Sequence, residues 1–279
     1  MKKLLLVLLC LPFIGFGQTT LHVGFGQSYS QIQPAINASN SGDTILVYPG
    51  NYQGGLNLLG KNIFLTSQYF YTNDTNDIVN TRITGSNTTR VITFDSGEDN
   101  SCILIGFRIT NGFSNGSGGG IFCNNSSPIL MHLIIENNEA SDGGGVNINN
   151  PSQMVLESLI IRNNIANDDG GGIWIHGPGN IDLLNVQIKG NSSNGDGIED
   201  GGGGIWCNAS TILNIINSEI SFNSSSAYGS GIRLKAPNCS IIDSRIENNG
   251  NASNGGGVYA DANGQGGCFL NINNTTIMH

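Results

Sequence analysis

A glycine run followed by Ile or Val recurs in this chain at Ile121, Val146, Ile173, Ile205, Ile232 and Val258, with steps of 25, 27, 32, 27 and 26 residues. A second marker, Ile-x-x-Asn, keeps pace at Ile135–Asn138, Ile161–Asn164, Ile188–Asn191, Ile220–Asn223 and Ile246–Asn249. A chain that repeats itself at this interval folds as a stack of like units, each leaving an apolar face for the next to cover. Between the markers apolar residues alternate with period two, the signature of strands. In the unit from Gly170 to Asn191, Ile173 and Ile175 point one way, and Trp174 and His176 the other. Gly177-Pro178-Gly179 turns the chain, Ile181 and Leu183 share a face, Asn185 marks a sharp bend, and Val186 and Ile188 resume the inward face. Three short strands per repeat make one triangular coil, and coils stacked at about 4.8 Å make an all-β parallel β-helix.

The bend column reads Gly106, His132, Ser158, Asn185, Asn217, Asp243, Asn274. Small and amide residues suit a left-handed backbone and bond along the stack. The five cysteines after residue 17 (Cys102, Cys123, Cys207, Cys239, Cys268) match no metal or disulfide spacing and read as small buried apolar residues. Only 11% of the 279 residues are charged and the net charge is −9, which argues against nucleic acid as the main partner.

Lys2 and Lys3, the apolar run Leu4–Phe16, and Gly15 and Gly17 before Gln18 read as an export signal over residues 1–17. That run is too short to span a bilayer, and no later segment is long and apolar enough. The expectation is a secreted or surface-displayed protein with a single β-helix over residues 18–279. Because Thr276–His279 falls part way through a coil, a further C-terminal sorting or anchoring domain is expected beyond it.

With these repeats, with YSQIQPAINA (Tyr29–Ala38) as a short amphipathic capping helix, and with GDTILVYPGNY (Gly42–Tyr52) leading into the first coil, the sequence resembles the pectin-lyase-like right-handed parallel β-helix superfamily. The resemblance covers residues 22–279 and implies a single-stranded right-handed solenoid, and the repeats count to about eight coils. That superfamily holds lyases, hydrolases, esterases, adhesins and tailspikes, so the fold leaves the activity open. The GGGI and IxxN alternation is also similar to the repeats of polymorphic outer-membrane adhesins.

The parity of the glycine-led strand gives outward pairs on successive coils: Phe122/Asn124, Asn147/Asn149, Trp174/His176, Trp206/Asn208, Arg233/Lys235 and Tyr259/Asp261. The resemblance makes this the first strand of each coil, and its outer face the one where the superfamily's enzymes bind saccharides. Aromatic rings at coil spacing suit sugar rings, while amides and charges bond hydroxyls. Phe122, Trp174, Trp206, Asn208, Tyr259 and Asp261 are therefore the expected saccharide contacts of a binding or adhesive β-helix. The alternatives are rings that only stack on one another, giving a structural spacer, and a polysaccharide lyase. In the lyase reading Arg233, Lys235 and His176 are catalytic, a cation neutralising a uronate carboxylate while a base removes the adjacent proton. A hydrolase would need paired carboxylates, and Asp261 is alone on this face.

The loops entering the glycine-led strands carry Asp142, Asp168, Asp169 and Asp200, which could hold Ca²⁺ or could be solvated turn residues. The column Thr110, Glu136, Arg162, Lys189, Ser221, Glu247 on the third strand is mixed in sign and reads as an ordinary solvated sheet face.

Overall fold

Each repeat sends its three strands to three different sheets. In the unit above, Ile173–His176 enters an eight-stranded sheet, Gly179–Leu184 a ten-stranded one and Gln187–Lys189 a nine-stranded one. We call these the first, second and third sheets. Every pairing is parallel and joins a strand to its counterparts on the neighbouring coils. The result, in a computed structural model, is a right-handed parallel β-solenoid of about nine turns, one more than the repeat count predicts. The structure describes residues 19–278 apart from 198–199, 209–210, 236–237, 251 and 262–267; the export segment 1–17 lies outside the described residues.

The bend column behaves as its composition requires. All seven residues have left-handed backbone, with φ from 45° at Asn274 to 86° at Gly106. One such residue turns the second strand of a coil into the third, and it is tolerated because Gly, Asn and Asp pay little for positive φ. The inward positions form one continuous core: Ile121, Val146, Ile173, Ile205 and Ile232 are fully buried. Cys102, Cys123, Cys207 and Cys239 lie within it as free thiols, Cys268 being half-buried; burial pushes the Cys207 thiol well above the ordinary thiol range and holds it in the inert form.

The IxxN asparagines are the second stacking device. Asn191 Oδ1 accepts from both the backbone N–H (3.0 Å) and Nδ2 (2.9 Å) of Asn164 on the preceding coil. Asn191 in turn donates through both groups to Asn223 Oδ1, and its Nδ2 also reaches the Ile161 carbonyl. The same pattern links Asn138 to Asn249 through five coils, and all five side chains are buried. Buried amides are stable only when satisfied, and this ladder satisfies each with its own copies.

The glycine runs follow from the same closeness. A Cβ on Gly172 would sit 2.5 Å from the Gly204 carbonyl oxygen and 3.1 Å from Asn191 Nδ2. Beside them four two-residue strands, Glu139–Ala140, Ile165–Ala166, Ser192–Ser193 and Ser224–Ser225, form a small fourth sheet. Segments this short carry no readable alternation, so the three-strand reading of the repeat omitted them.

Helix α1 (Ile32–Ala38) lays Ile32, Ala35 and Ile36 over the open N-terminal end of the core. It begins three residues later than the sequence suggests, because Tyr29 bonds back to His22 and Gly24 at the first strand's edge. Lys61 Nζ caps its C-terminal carbonyls, Ile36 at 2.7 Å and Asn37 at 2.9 Å. An inserted helical pair, α2 (Tyr69–Thr72) and α3 (Thr75–Asn80), covers a smaller apolar cluster on the outside of the second sheet around Phe64, Ile103 and Ile105. Among the described residues no helix is long and apolar enough to cross a membrane.

The third sheet's outer face is more ordered than its mixed composition suggests. Glu136 is buried between two arginines, bonding Arg108 Nε and Arg162 Nε at 2.6 Å each. Burial alone would raise its pKa, but the Arg162 and Arg108 bonds and charges carry it below the usual carboxylate range.

Candidate functional site

The register places the outward residues of the first sheet in two columns. One runs Asn57, Thr93, Phe122, Asn147, Trp174, Trp206, Arg233, Tyr259. The other carries Asn124, Asn149, His176, Asn208, Lys235 and Asp261. The parity argument therefore holds at every predicted position, and all of these side chains share one face.

The inner of these two columns is a stack of flat groups. The rings of Trp174 and Trp206 lie 5.3 Å apart at 2°, and His176 stacks on Trp174 at 5.4 Å. Trp174 and Phe122 are half-buried, whereas Trp206 is 5% exposed and Asn147 is buried between the Phe122 and Trp174 positions. Arg233 points outward as expected but is 0% exposed. Its guanidinium lies over Tyr259 at 4.5 Å and Tyr228 at 5.2 Å, and Nη1 pairs with Asp261 Oδ2 at 2.8 Å. Tyr228 comes from the loop before this strand, so strand parity gave the direction of Arg233 without showing its cover. Lys235 and His176 are half-buried in the second column, with Asn208 on the coil between them, which separates their backbones by roughly 10 Å. Asn149 Nδ2 donates to Asn124 Oδ1 at 2.8 Å, the same rung-to-rung bonding seen inside the core.

An open groove of about 510 Å³ continues this face toward the N-terminus, lined by Leu56, Asn57, Thr89, Arg90, Thr93 and Phe113 among others. Arg90 closes it: Nε donates to the Ser117 carbonyl at 2.8 Å and the guanidinium covers the Phe122 ring at 4.3 Å. Sequence reasoning passed over these residues because the first two coils lack the glycine run. The signal present was Leu56-x-Leu58 and Ile92-x-Phe94, whose alternation puts Asn57 and Thr93 in the outward column.

Three of the four loop aspartates meet. One oxygen each of Asp168, Asp169 and Asp200 lies within 4.8 Å of the others. Asp142, one coil earlier, bonds Ser117 Oγ at 3.2 Å. Asp169 accepts from Gly201 N–H at 2.8 Å and Asp200 from Gly197 N–H at 2.7 Å. Burial first, and then the charges of Asp168, Asp200 and Asp142, push Asp169 up to about 8, while burial and Asp200 push Asp168 up to about 6. Carboxylates crowded this closely are ones that a hard cation with oxygen preference would relieve, and Asp168, Asp169 and Asp200 are the residues that could hold it.

No family model and no curated protein matches the sequence. Among solved structures, the pectin methylesterase from Aspergillus niger is similar over 92% of this chain and 85% of its own, with a TM-score of 0.57 and 14% identity. Pectate lyase Pel9A is similar over 88% of this chain and 68% of its own, with a TM-score of 0.57 and 15% identity. The chain has the pectin-lyase-like parallel β-helix fold. Identity this low carries the fold and leaves the outer face of the first sheet to be judged on its own residues.

Proposed function

We propose that this β-helix is a secreted or cell-surface protein that binds polysaccharide along the outer face of its first sheet. The observation that carries the reading is the continuity of one face: an Arg90-closed groove, then the half-buried Phe122 and Trp174 rings, flanked by Asn124, Asn149, His176 and Asn208. The half-exposed Trp174 ring offers apolar contact for a sugar, and the amides beside it, repeated at coil spacing, offer bonds for hydroxyls. The names of the two similar structures, a pectin methylesterase and a pectate lyase, make pectin the first polysaccharide to try. Export rests on residues 1–17, and a cation at Asp168, Asp169 and Asp200 would brace the loops that border the face.

A second reading, a spacer without ligand, is favoured by the burial of Trp206 and Arg233, which already stack on neighbours of their own. The lyase reading requires Arg233 to be uncovered and Lys235 and His176 to meet one substrate unit across a coil. Tryptophan fluorescence titration against pectin, polygalacturonate and neutral glycans separates the three, since Trp174 and Trp206 are the only tryptophans. A saturable change supports binding. The same change followed by new ultraviolet absorbance from an unsaturated sugar supports the lyase. No change with any glycan leaves the spacer.

A further inference from the structure

The third sheet carries an imbalance of charge that the rest of the chain does not share. The sequence has 20 Asp and Glu against 11 Lys and Arg. Yet Arg82 and Arg108 stand directly opposite each other on adjacent strands of this sheet, and Arg162 and Lys189 lie on the same face on the second and third coils beyond Arg108. Like charges set opposite one another in a sheet repel and are ordinarily avoided. The only carboxylate built into this run is Glu136, and Arg108 and Arg162 share it.

Arg82 receives nothing. Among the described residues it has no ion pair, and its Nε is buried without a hydrogen-bond partner. Helix α3, which packs beside this strand, does not supply one. Asp74 spends its carboxylate capping that helix through Asn76 N–H, and Asp77 accepts from Thr72 Oγ1 at 2.5 Å. In register, Arg82 lies between Asn51 and Arg108, so its other neighbour is an exposed amide. A half-buried guanidinium with a buried, unbonded donor, set opposite a second arginine in register, is costly when unpaired and favourable around an anion with two or three oxygens.

We propose that Arg82 and Arg108 form an oxyanion site on the outer face of the third sheet, separate from the first-sheet face. Its ligand is a sulfate, phosphate or carboxylate group, either free or borne on a sugar. The Arg82 guanidinium is the direct donor, Arg108 adds its charge from the adjacent coil while it keeps its bond to Glu136, and Asn51 offers an amide at the edge.

The test is calorimetric titration of the full chain with sodium sulfate, sodium phosphate and galacturonate at matched ionic strength, in the parent, Arg82→Gln, Arg82→Lys and Arg245→Gln. Arg245 lies at the far end of the same sheet and serves as the control. The expected result is saturable one-site binding of at least one anion. Arg82→Gln should weaken it tenfold or more, Arg82→Lys should weaken it less because the charge remains without the fork, and Arg245→Gln should not change it. Binding of the inorganic ions alone assigns the site to a free anion, and binding of galacturonate alone assigns it to a sugar carboxylate. Absence of saturable binding for all three overturns the site. So does parent-like affinity in either Arg82 variant, and the lysine variant decides if the glutamine variant does not fold.

Discussion

Trp174 and Trp206 occupy the same position on consecutive coils, with ring planes 2° apart and centroids at 5.3 Å, yet only Trp206 is buried. The two rings therefore have different duties. Replacing Trp206 with Ala should cost roughly 3–5 kcal/mol, as for other large aromatic truncations, read from the urea midpoint. Replacing Trp174 should cost less and should remove most of any glycan-induced fluorescence change. Equal losses of stability in both variants, with the glycan signal intact in the Trp174 variant, would count against a ligand-facing role for Trp174.

The asparagine ladder makes a sharper stability prediction. Asn191→Ala strips the acceptor from two donors of Asn164 and leaves the Ile161 carbonyl short of a partner. At about 1–3 kcal/mol for each buried group left unsatisfied, a loss of roughly 2–4 kcal/mol is expected. Because coils are coupled only to neighbours, a broadened or two-step urea transition should accompany it. A change under 1 kcal/mol, roughly the worth of one exposed bond, would show the ladder to be ornamental.

Glu136→Gln removes the carboxylate that Arg108 and Arg162 share. Both arginines are partly exposed, so solvent screens the pair and the loss should be about 1–2 kcal/mol rather than the value for a fully buried ion pair. The difference between parent and variant should shrink in molar salt. Glu136 has a depressed folded pKa, so its contribution is present above the unfolded value and disappears as pH falls through the folded one.

The aspartate cluster acts in the opposite direction. Asp169 and Asp168 have folded values raised to about 8 and about 6 from 3.8. The folded state then binds protons that the unfolded state has released, so stability should fall as pH rises from about 4 to about 8 in cation-free buffer. Asp169→Asn should flatten this slope and raise the melting temperature at pH 8. Millimolar calcium should do the same for the parent and not for the variant. A flat profile in the parent would mean that the three carboxylates are hydrated rather than crowded.

Arg90→Ala probes the groove. If glycan occupies the N-terminal half of the face, affinity should drop about tenfold, the worth of one charge-assisted contact, with little change in folding. Unchanged affinity would move the binding site toward Trp174 and His176.

Much of this molecule was legible from periodicity. Alternation with period two gave the inward Ile173 and Ile175 and the outward Trp174 and His176, and the bend residues gave the corners, since both are local consequences of backbone geometry. Cover was not legible. Tyr228 and Tyr259 enclose Arg233 through a loop and a neighbouring coil, and no strand pattern encodes that. Asn191 stood out as a marker but not as a ladder, because an amide repeated in sequence reads alike whether it faces water or its own copies. Arg82 and Arg108 lie one register step apart only once coils of unequal length are aligned. The groove escaped because its coils lack the motif that drew attention to the others.

The ladder bonds span sequence intervals of 26, 27, 32 and 26 residues, and Nδ2 to Oδ1 stays at 2.9–3.0 Å in each. The extra residues of the longest interval fall between Ser193 and Gly201 in sequence, and the rung that spans them keeps its bonds. Register and contour length are thus independent variables in this scaffold. A foreign peptide inserted in that interval would be carried at a fixed height on the stack, and the coils on either side would keep their bonds.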